Sequence, residues 1–456
     1  MKRTEREWLD MAKQHNFRGR MDKGEFTGPI FDKAKDSIVW DVNGRAYLDF
    51  NSGQMCSALG HNHPKIVEAI EESCRTLIHS SSMHFNTQEI ELASRLGNLL
   101  PPSLSKCTFL ISGSDSNEAA MSMAKVYTGK FEIASPTSSF HGLSDSARAV
   151  TFAGWHAGYG PLIPGAYAML TPYRYRCKFC QSAKDCTLDC LNTSFELLDS
   201  QSVGSLAAVI TEPLFSAGGV IPAPTIWLKE LKKKCEERDM LLIFDEAQTG
   251  LGKLGTMFAF EQHGVVPDIL TISKHFGGGM SVSAAITSRE IEDNVVAKGY
   301  VCGHSHCNDP LGCAAGIASL DIIIGEDVPR RSAEMGEYFQ KILRQLLDKY
   351  EIVGDVRGKG QIHGVEFVED RTSKTPAKAF GNEVHALLLQ NGVLSSARRG
   401  GSVIRFVPPI TTTHAQYDQV GEIFDRAIQT VLDRRSTAKI PKSKSALADQ
   451  ATSETT

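Results

Sequence analysis

Lys274 follows an apolar run, residues 269–273, and precedes His275, Phe276 and the glycines 277–279. A lysine at the exit of a buried strand is partly stripped of water. That lowers its pKa and makes the amine nucleophilic toward a carbonyl. The glycines let the backbone pass close to a bound group. Taken alone, a lysine before a glycine turn is more often a solvated surface residue. Asp245 shifts that balance. It ends the run Leu-Leu-Ile-Phe-Asp-Glu, which puts a carboxylate at the carboxyl end of a buried strand. Ligands of open parallel sheets bind along that edge. A carboxylate there can keep a pyridinium nitrogen protonated, so that the ring accepts electrons. The bland alternative is a cap on the next turn, but Lys274 stands at the end of the next expected strand. The third group is Ser-Gly-Ser-Asp-Ser-Asn-Glu at 112–118, after a strand and opening a helix. Small residues at a helix N-terminus leave N–H groups for a phosphate, although ordinary capped helix starts look similar. Together the three supply anchors for an aldehyde, a ring nitrogen and a phosphate.

These groups need a rigid frame. Apolar runs at 107–112, 206–211, 241–244, 269–273 and 282–287 read as strands. A helical pattern covers 117–128, and Trp227, Leu228, Leu231 and Cys235 recur at helical spacing. Strand–helix alternation of this kind implies a mainly parallel sheet covered by helices. Met335, Tyr338, Phe339, Ile342, Leu343, Leu346 and Leu347 mark a long amphipathic helix. The expected division is an N-terminal segment, 1–60, contributing to a small domain; a large domain, 61–325; and a C-terminal small domain, 326–435. The Ser- and Lys-rich stretch 436–456 reads as a disordered tail.

The chain has 456 residues, 41% apolar and 22% charged, with a formal net charge of −4. That is enough for a sizeable core, and no clustered basic surface points to nucleic acid. Lys232–Lys234 fits the solvated face of a helix. No apolar run is long enough for a membrane span. The first twenty residues carry Glu5, Glu7 and Asp10 and no apolar core, so a cytoplasmic protein is expected.

Other residues extend the three anchors into a family pattern. Asp41, Gly44, Asp49, Phe50, the Leu-Gly-His-Asn-His-Pro run at 59–64, Phe140-His141-Gly142, Glu212-Pro213, Gly250, Asp309-Pro310, Arg357-Gly358 and Pro408-Pro409 stand in order with them. The sequence thereby resembles the class III aminotransferases over roughly residues 25 to 430. The resemblance implies an α/β architecture, the fold-type I transferase arrangement of the aspartate-aminotransferase kind. A large, mainly parallel-sheet domain is joined there by a smaller α+β domain. It also implies pyridoxal 5'-phosphate as cofactor and a homodimer with shared active sites.

Within that family, Ser52-Gly53-Gln54-Met55, the stretch 245–259 and the run 267–271 resemble the 2,2-dialkylglycine decarboxylases. Lys274 then resembles the lysine that holds the cofactor as a Schiff base, and Asp245 the partner of the ring nitrogen. Gln248 matches the contact to the ring hydroxyl. Gly113 and Ser114 match the phosphate loop, and Ser305 a phosphate contact from the partner subunit. Phe140, with His141 beside it, would stack on one ring face and Ala247 would pack on the other. Arg405 matches the arginine that grips a substrate carboxylate, and Met55 lines the same pocket. Gln54 would hold a carboxylate perpendicular to the ring, so that the bond to CO2 overlaps the π system. A neutral amide does so without an ion pair that would stabilise the ground state.

The implied activity is decarboxylation coupled to transamination of a 2,2-dialkylglycine-type amino acid, such as 2-aminoisobutyrate. Pyruvate or another keto acid would be the acceptor. The alternative is transamination of an amino acid or amine without loss of CO2. Phe140 stands where the decarboxylases carry Trp, and Ala217 where they carry Ser. The stretch before Arg405 is shorter and includes Arg398 and Arg399. A protein that merely kept the fold would have no use for Lys274, Asp245 and the phosphate loop together.

Four of the 11 cysteines, Cys177, Cys180, Cys186 and Cys190, fall in one short stretch. Thiolates so close can bind zinc, but the spacing is not a standard zinc pattern and no His lies between them. Free or opportunistically paired thiols, with no metal, is the reading adopted. His61 and His63 read as turn and helix-entry residues.

Overall fold

A computed structural model describes residues 3–17, 19, 28–180, 183 and 185–438. Its centre is a seven-stranded sheet. The strand order is Lys106–Leu110, Ser283–Thr287, Ile269–Ile272, Leu241–Asp245, Leu206–Thr211, Glu132–Pro136, Ala166–Met169. Residues 206–211, 241–245 and 269–272 are buried on both faces, as continuous apolar runs demand in a helix-covered sheet. Leu241–Asp245 pairs in parallel with both neighbours, and so does Glu132–Pro136. Ser283–Thr287 is antiparallel to both of its neighbours. The architecture is therefore α/β with a mainly parallel sheet.

Helix Gly113–Thr128 begins where expected. Ser112 caps it, accepting from Asp115 N, while the Asp115 carboxylate accepts from Ser112 N. Helix Thr225–Glu236 buries Trp227, Leu228, Leu231 and Cys235, the four residues of its apolar stripe. The long amphipathic helix is Val328–Lys349, preceded by helix Pro310–Gly325. Strands Glu132–Pro136 and Ala166–Met169 have no counterpart in the sequence reading.

A second core lies over an antiparallel sheet of Val353–Lys359, Ile362–Phe367, Val403–Phe406 and Ser396–Arg398. Phe50 joins this core, edge-on to Phe339, Phe406 and Tyr417. Strand Ala46–Asp49 pairs in parallel with Val393–Leu394. The N-terminal strands are thus stitched to the C-terminal part of the chain. The last helix runs His414–Ala438, so residues 436–438, read as the start of a tail, finish a helix instead. The rest of that stretch, 439–456, lies outside the described residues. Among the described residues no helix is long and apolar enough to cross a membrane.

Candidate active site

The carboxyl ends of the central strands, the start of helix Gly113–Thr128 and the Phe140 loop enclose a cavity of about 280 Å³. Asp245, the last residue of its strand, is 4% exposed and points its carboxylate into a fixed cage. Its Oδ2 accepts from Asn117 Nδ2 at 2.8 Å and meets His141 Nδ1 at 2.8 Å. Its Oδ1 accepts from Ala247 N at 3.0 Å. Asn117 is itself held, accepting from Thr271 Oγ1 at 2.7 Å and donating to the His141 carbonyl at 2.7 Å. His141 is held in turn by Ser135, whose Oγ stands 3.2 Å from Nε2.

Lys274 sits two residues past strand Ile269–Ile272, in a left-handed conformation with φ 54°. Burial holds its amine below the usual lysine range, with Cys56 and Asp245 pulling the other way. Across the cavity, the first turn of helix Gly113–Thr128 presents Gly113 and Ser114, whose N–H groups a helix leaves unpaired. A Cβ on Gly113 would come within 2.8 Å of Ser273 Oγ, and one on Gly142 within 2.3 Å of Ser114 Oγ. Only hydrogen fits at Gly142, where the Cβ would also meet Ser114 Cα at 2.9 Å, and a side chain at Gly113 would push the Ser273 hydroxyl aside. The cradle therefore stays open to an anion, and the three anchors border one cavity sized for a phosphorylated pyridine aldehyde. Phe140, Ala247 and Gln248 line it as well.

A second cavity of about 540 Å³ shares Lys274, Phe140 and Gln248 with the first. Gln54, Met55, Ala217 and Arg405 border it. Gln54 is delivered by a contorted turn. Ser52 has φ 48° and Met55 φ 66°, both left-handed and neither a glycine. The turn is pinned in three ways. Ser52 Oγ donates to the Val407 carbonyl at 2.6 Å, Gly53 N donates to Asp49 Oδ2 at 2.5 Å, and His61 Nε2 meets the same oxygen at 2.7 Å. The Val407 contact ties Gln54 to the strand that carries Arg405. Arg405 is fully buried. Its Nε donates to Ser396 Oγ at 3.0 Å, and Nη1 to Ser216 Oγ at 3.1 Å and Gln248 Oε1 at 3.3 Å.

Most of the residues singled out in the sequence thus border one pair of joined cavities. Ser305 does not: it is exposed and lines neither cavity of this chain. His61 pairs with Asp49, and His63 caps helix Pro64–Thr76 and meets Glu326. Cys180 and Cys190 are buried, Cys177 and Cys186 half-buried, and all four are free thiols. Among the described residues, the trio of ligand-type side chains within 4.8 Å of one another is His79, His306 and Asp309, not the cysteines.

Two residues of this site had no assigned role. Asn117 looks like any polar residue in a first helical turn. Glu212 stood out only as half of a Glu-Pro pair. It is buried behind Phe140, accepting from Phe140 N at 2.9 Å and Ser216 N at 3.3 Å. Burial, reinforced by Asp245, pushes its carboxyl well above the usual range.

A family model described as aminotransferase class-III matches residues 22–428. The chain is similar to an uncharacterized aminotransferase, C1039.07c, of Schizosaccharomyces pombe. The two are 41% identical over 414 residues, covering 89% of this chain and 91% of the relative. It is 32% identical to a leucine/methionine racemase of Thermococcus litoralis, covering 88% of this chain and 91% of the racemase. Among solved structures it is similar to an (S)-enantioselective omega-transaminase from Thermomicrobium roseum. That match has a TM-score of 0.87 at 27% identity, covering 95% of this chain and 100% of the other.

Proposed function

The chain belongs to the class III aminotransferases, enzymes that use pyridoxal 5'-phosphate on amino acids or amines, and from that premise we propose that it couples decarboxylation to transamination. The donor is a 2,2-dialkylglycine-type amino acid such as 2-aminoisobutyrate. The acceptor is a keto acid, pyruvate or another. The observation that carries the reading is the strained 52–55 turn, which brings Gln54 to the cavity bordered by Lys274 and Arg405. Backbone strain of this kind persists where the surroundings over-determine it, and it concentrates at functional sites. The relatives include a racemase beside aminotransferases, which fits a scaffold that varies the fate of the electron pair left at Cα.

Pyridoxal phosphate, when bound, supplies the electron sink for the pair left by the broken Cα bond. Asp245, caged by Asn117, His141 and Ala247, would hold the ring nitrogen's proton. Gly113 and Ser114 would present N–H groups to the phosphate, Phe140 and Ala247 would pack against the ring, and Gln248 would contact its hydroxyl. Lys274 Nζ, desolvated and with its pKa lowered by burial, would hold the aldehyde end and, when free, would move a proton. Gln54, with Met55 beside it, would orient the carboxylate that leaves, and Arg405 would grip the carboxylate of the keto acid in the second half-reaction. Ser305, exposed on this chain, would reach the phosphate bound by a second copy, and the working unit would then be a homodimer.

Gln54 is the test. In Gln54→Ala, CO2 release from 2-aminoisobutyrate falls about 100-fold, the scale of losing one aimed donor. Transamination of alanine falls far less. Equal losses in both reactions contradict the role given to Gln54. No CO2 from the wild type, with alanine still processed, leaves transamination without decarboxylation.

A further inference from the structure

The larger cavity carries more positive charge than one carboxylate uses. Lys274, Arg398, Arg399 and Arg405 all border it, and no Asp or Glu among the described residues does. The four basic residues are engaged differently. Lys274 is the reacting amine. Arg399 is committed to the wall, donating to the Gly218 carbonyl at 3.2 Å with its guanidinium 5.1 Å above the Tyr173 ring. Arg405 has only neutral partners, and its Nη2 is buried with none. The Arg398 side chain makes no hydrogen bond or ion pair among the described residues, and its Nε is buried without a partner.

An arginine does not give up its proton inside a protein. Taking two guanidiniums out of water with no ion-paired carboxylate is unfavourable, and an anion in the cavity relieves it. Arg398 also acts against the charge of Arg405, so the two share one electrostatic environment. One carboxylate can pair with only one of them bidentately. The other is left desolvated and unpaired.

We propose that Arg398 receives a second carboxylate, so that the keto acid accepted by this cavity is a dicarboxylic 2-oxo acid, of the oxaloacetate or 2-oxoglutarate kind. Arg405 takes the carboxylate beside the keto group and Arg398 the distal one. A monocarboxylic keto acid such as pyruvate fills the same space but leaves Arg398 unmatched, which is how a polar site rejects an analogue that lacks the group it is built for. The assignment rests on the reading of Arg405 and of the second half-reaction given above. The donor half-reaction, in which 2-aminoisobutyrate meets Gln54, does not draw on Arg398.

Two measurements on the cofactor-loaded enzyme test it. The first is equilibrium binding of unreactive acids by calorimetry. Succinate and glutarate bind about 30-fold or more tighter than propionate and butyrate, and Arg398→Gln removes most of that advantage while Arg398→Lys keeps part of it. The second is the acceptor half-reaction. After conversion to the amino form, kcat/KM for 2-oxoglutarate or oxaloacetate exceeds that for pyruvate by about 100-fold, and the loss in Arg398→Gln lies in KM. Equal binding of glutarate and butyrate by the wild-type enzyme overturns the proposal without any variant having to fold. Equal use of pyruvate and 2-oxoglutarate overturns it too. If dicarboxylates bind tightly yet 2-aminoisobutyrate yields no CO2, the decarboxylation reading falls and the assignment of Arg398 stands.

Discussion

Asn117 holds the Asp245 cage together, and its replacement has a size that can be worked out. Three buried groups lose a partner in Asn117→Ala: the Asp245 carboxylate, the His141 carbonyl and the Thr271 hydroxyl. A hydrogen bond to a charged group contributes about 1.5–3 kcal/mol, and a buried polar group left unpaired costs about 1–3 kcal/mol. Water entering the hole offsets part of this, so a net loss of about 3 kcal/mol is expected. If the loosened Asp245 passes about 2 kcal/mol of it to the cofactor, the dissociation constant of pyridoxal phosphate rises about 30-fold.

Asn117→Asp sharpens the test. It keeps an acceptor for Thr271 but sets a carboxyl group against Asp245 Oδ2, where the amide now donates at 2.8 Å. The neighbouring charge and burial raise the pKa of the introduced carboxyl in the folded protein above its unfolded value. The penalty is therefore full above that raised pKa and is relieved as the pH falls through it. Cofactor titration by absorbance and thermal unfolding, each at about pH 8 and about pH 6, would read both effects. At the higher pH, wild type exceeds Asn117→Ala, which exceeds Asn117→Asp. At the lower pH the aspartate variant recovers. Wild-type affinity and unfolding temperature in both variants would refute the idea that Asn117 fixes Asp245.

Three other outcomes follow from the same structure. Lys253 is buried, its Nζ donating to the Pro408 carbonyl at 2.8 Å, and burial pulls its amine down to about 7. The folded state therefore binds the proton less well than the unfolded state, a penalty that is full below about 7 and vanishes above the ordinary lysine range. Lys253→Met raises the unfolding temperature at neutral pH, by about 1–3 kcal/mol of stability after the lost hydrogen bond is counted. The gain shrinks toward about pH 10, and a gain that does not change with pH contradicts the explanation. Gly142→Ala forces a Cβ against Ser114 at a φ of 138°. Cofactor retention drops by about tenfold or more through displacement of the phosphate-facing turn, as equilibrium dialysis would report. Phe140→Trp combined with Ala217→Ser changes the preference among amino donors in competition assays, because both positions border the larger cavity. An unchanged preference removes these two residues from specificity.

The parts of the site that could be read in the sequence are those whose chemistry is local. The strand ending in Asp245 is a pure apolar run closed by a carboxylate. The Lys274 turn and the Ser112 cap are fixed by glycines and small polar residues within a few positions. Strand Glu132–Pro136 escaped notice because Glu132, Ser135 and Pro136 resemble a loop. Its place depends on long-range partners: the Glu132 carboxylate accepts from Ser202, Val203 and Ser205. Asn117 acquired meaning only when the strands carrying Asp245 and Thr271 met beside its helix. The contortion of the 52–55 turn is held in part by Val407, far along the chain. The unpartnered Arg398 became visible once its surroundings could be counted for carboxylates.

The central claim is that the Cα bond broken in the donor is the one to CO2. The measurement that tests it most directly is a single turnover of the cofactor-loaded protein with 2-aminoisobutyrate and no keto acid, following CO2, acetone and the cofactor's absorbance together. The account predicts one CO2 and one acetone for each cofactor converted to its amino form. Conversion by alanine, with no CO2 from 2-aminoisobutyrate, would contradict it and leave an aminotransferase that breaks the bond to hydrogen instead.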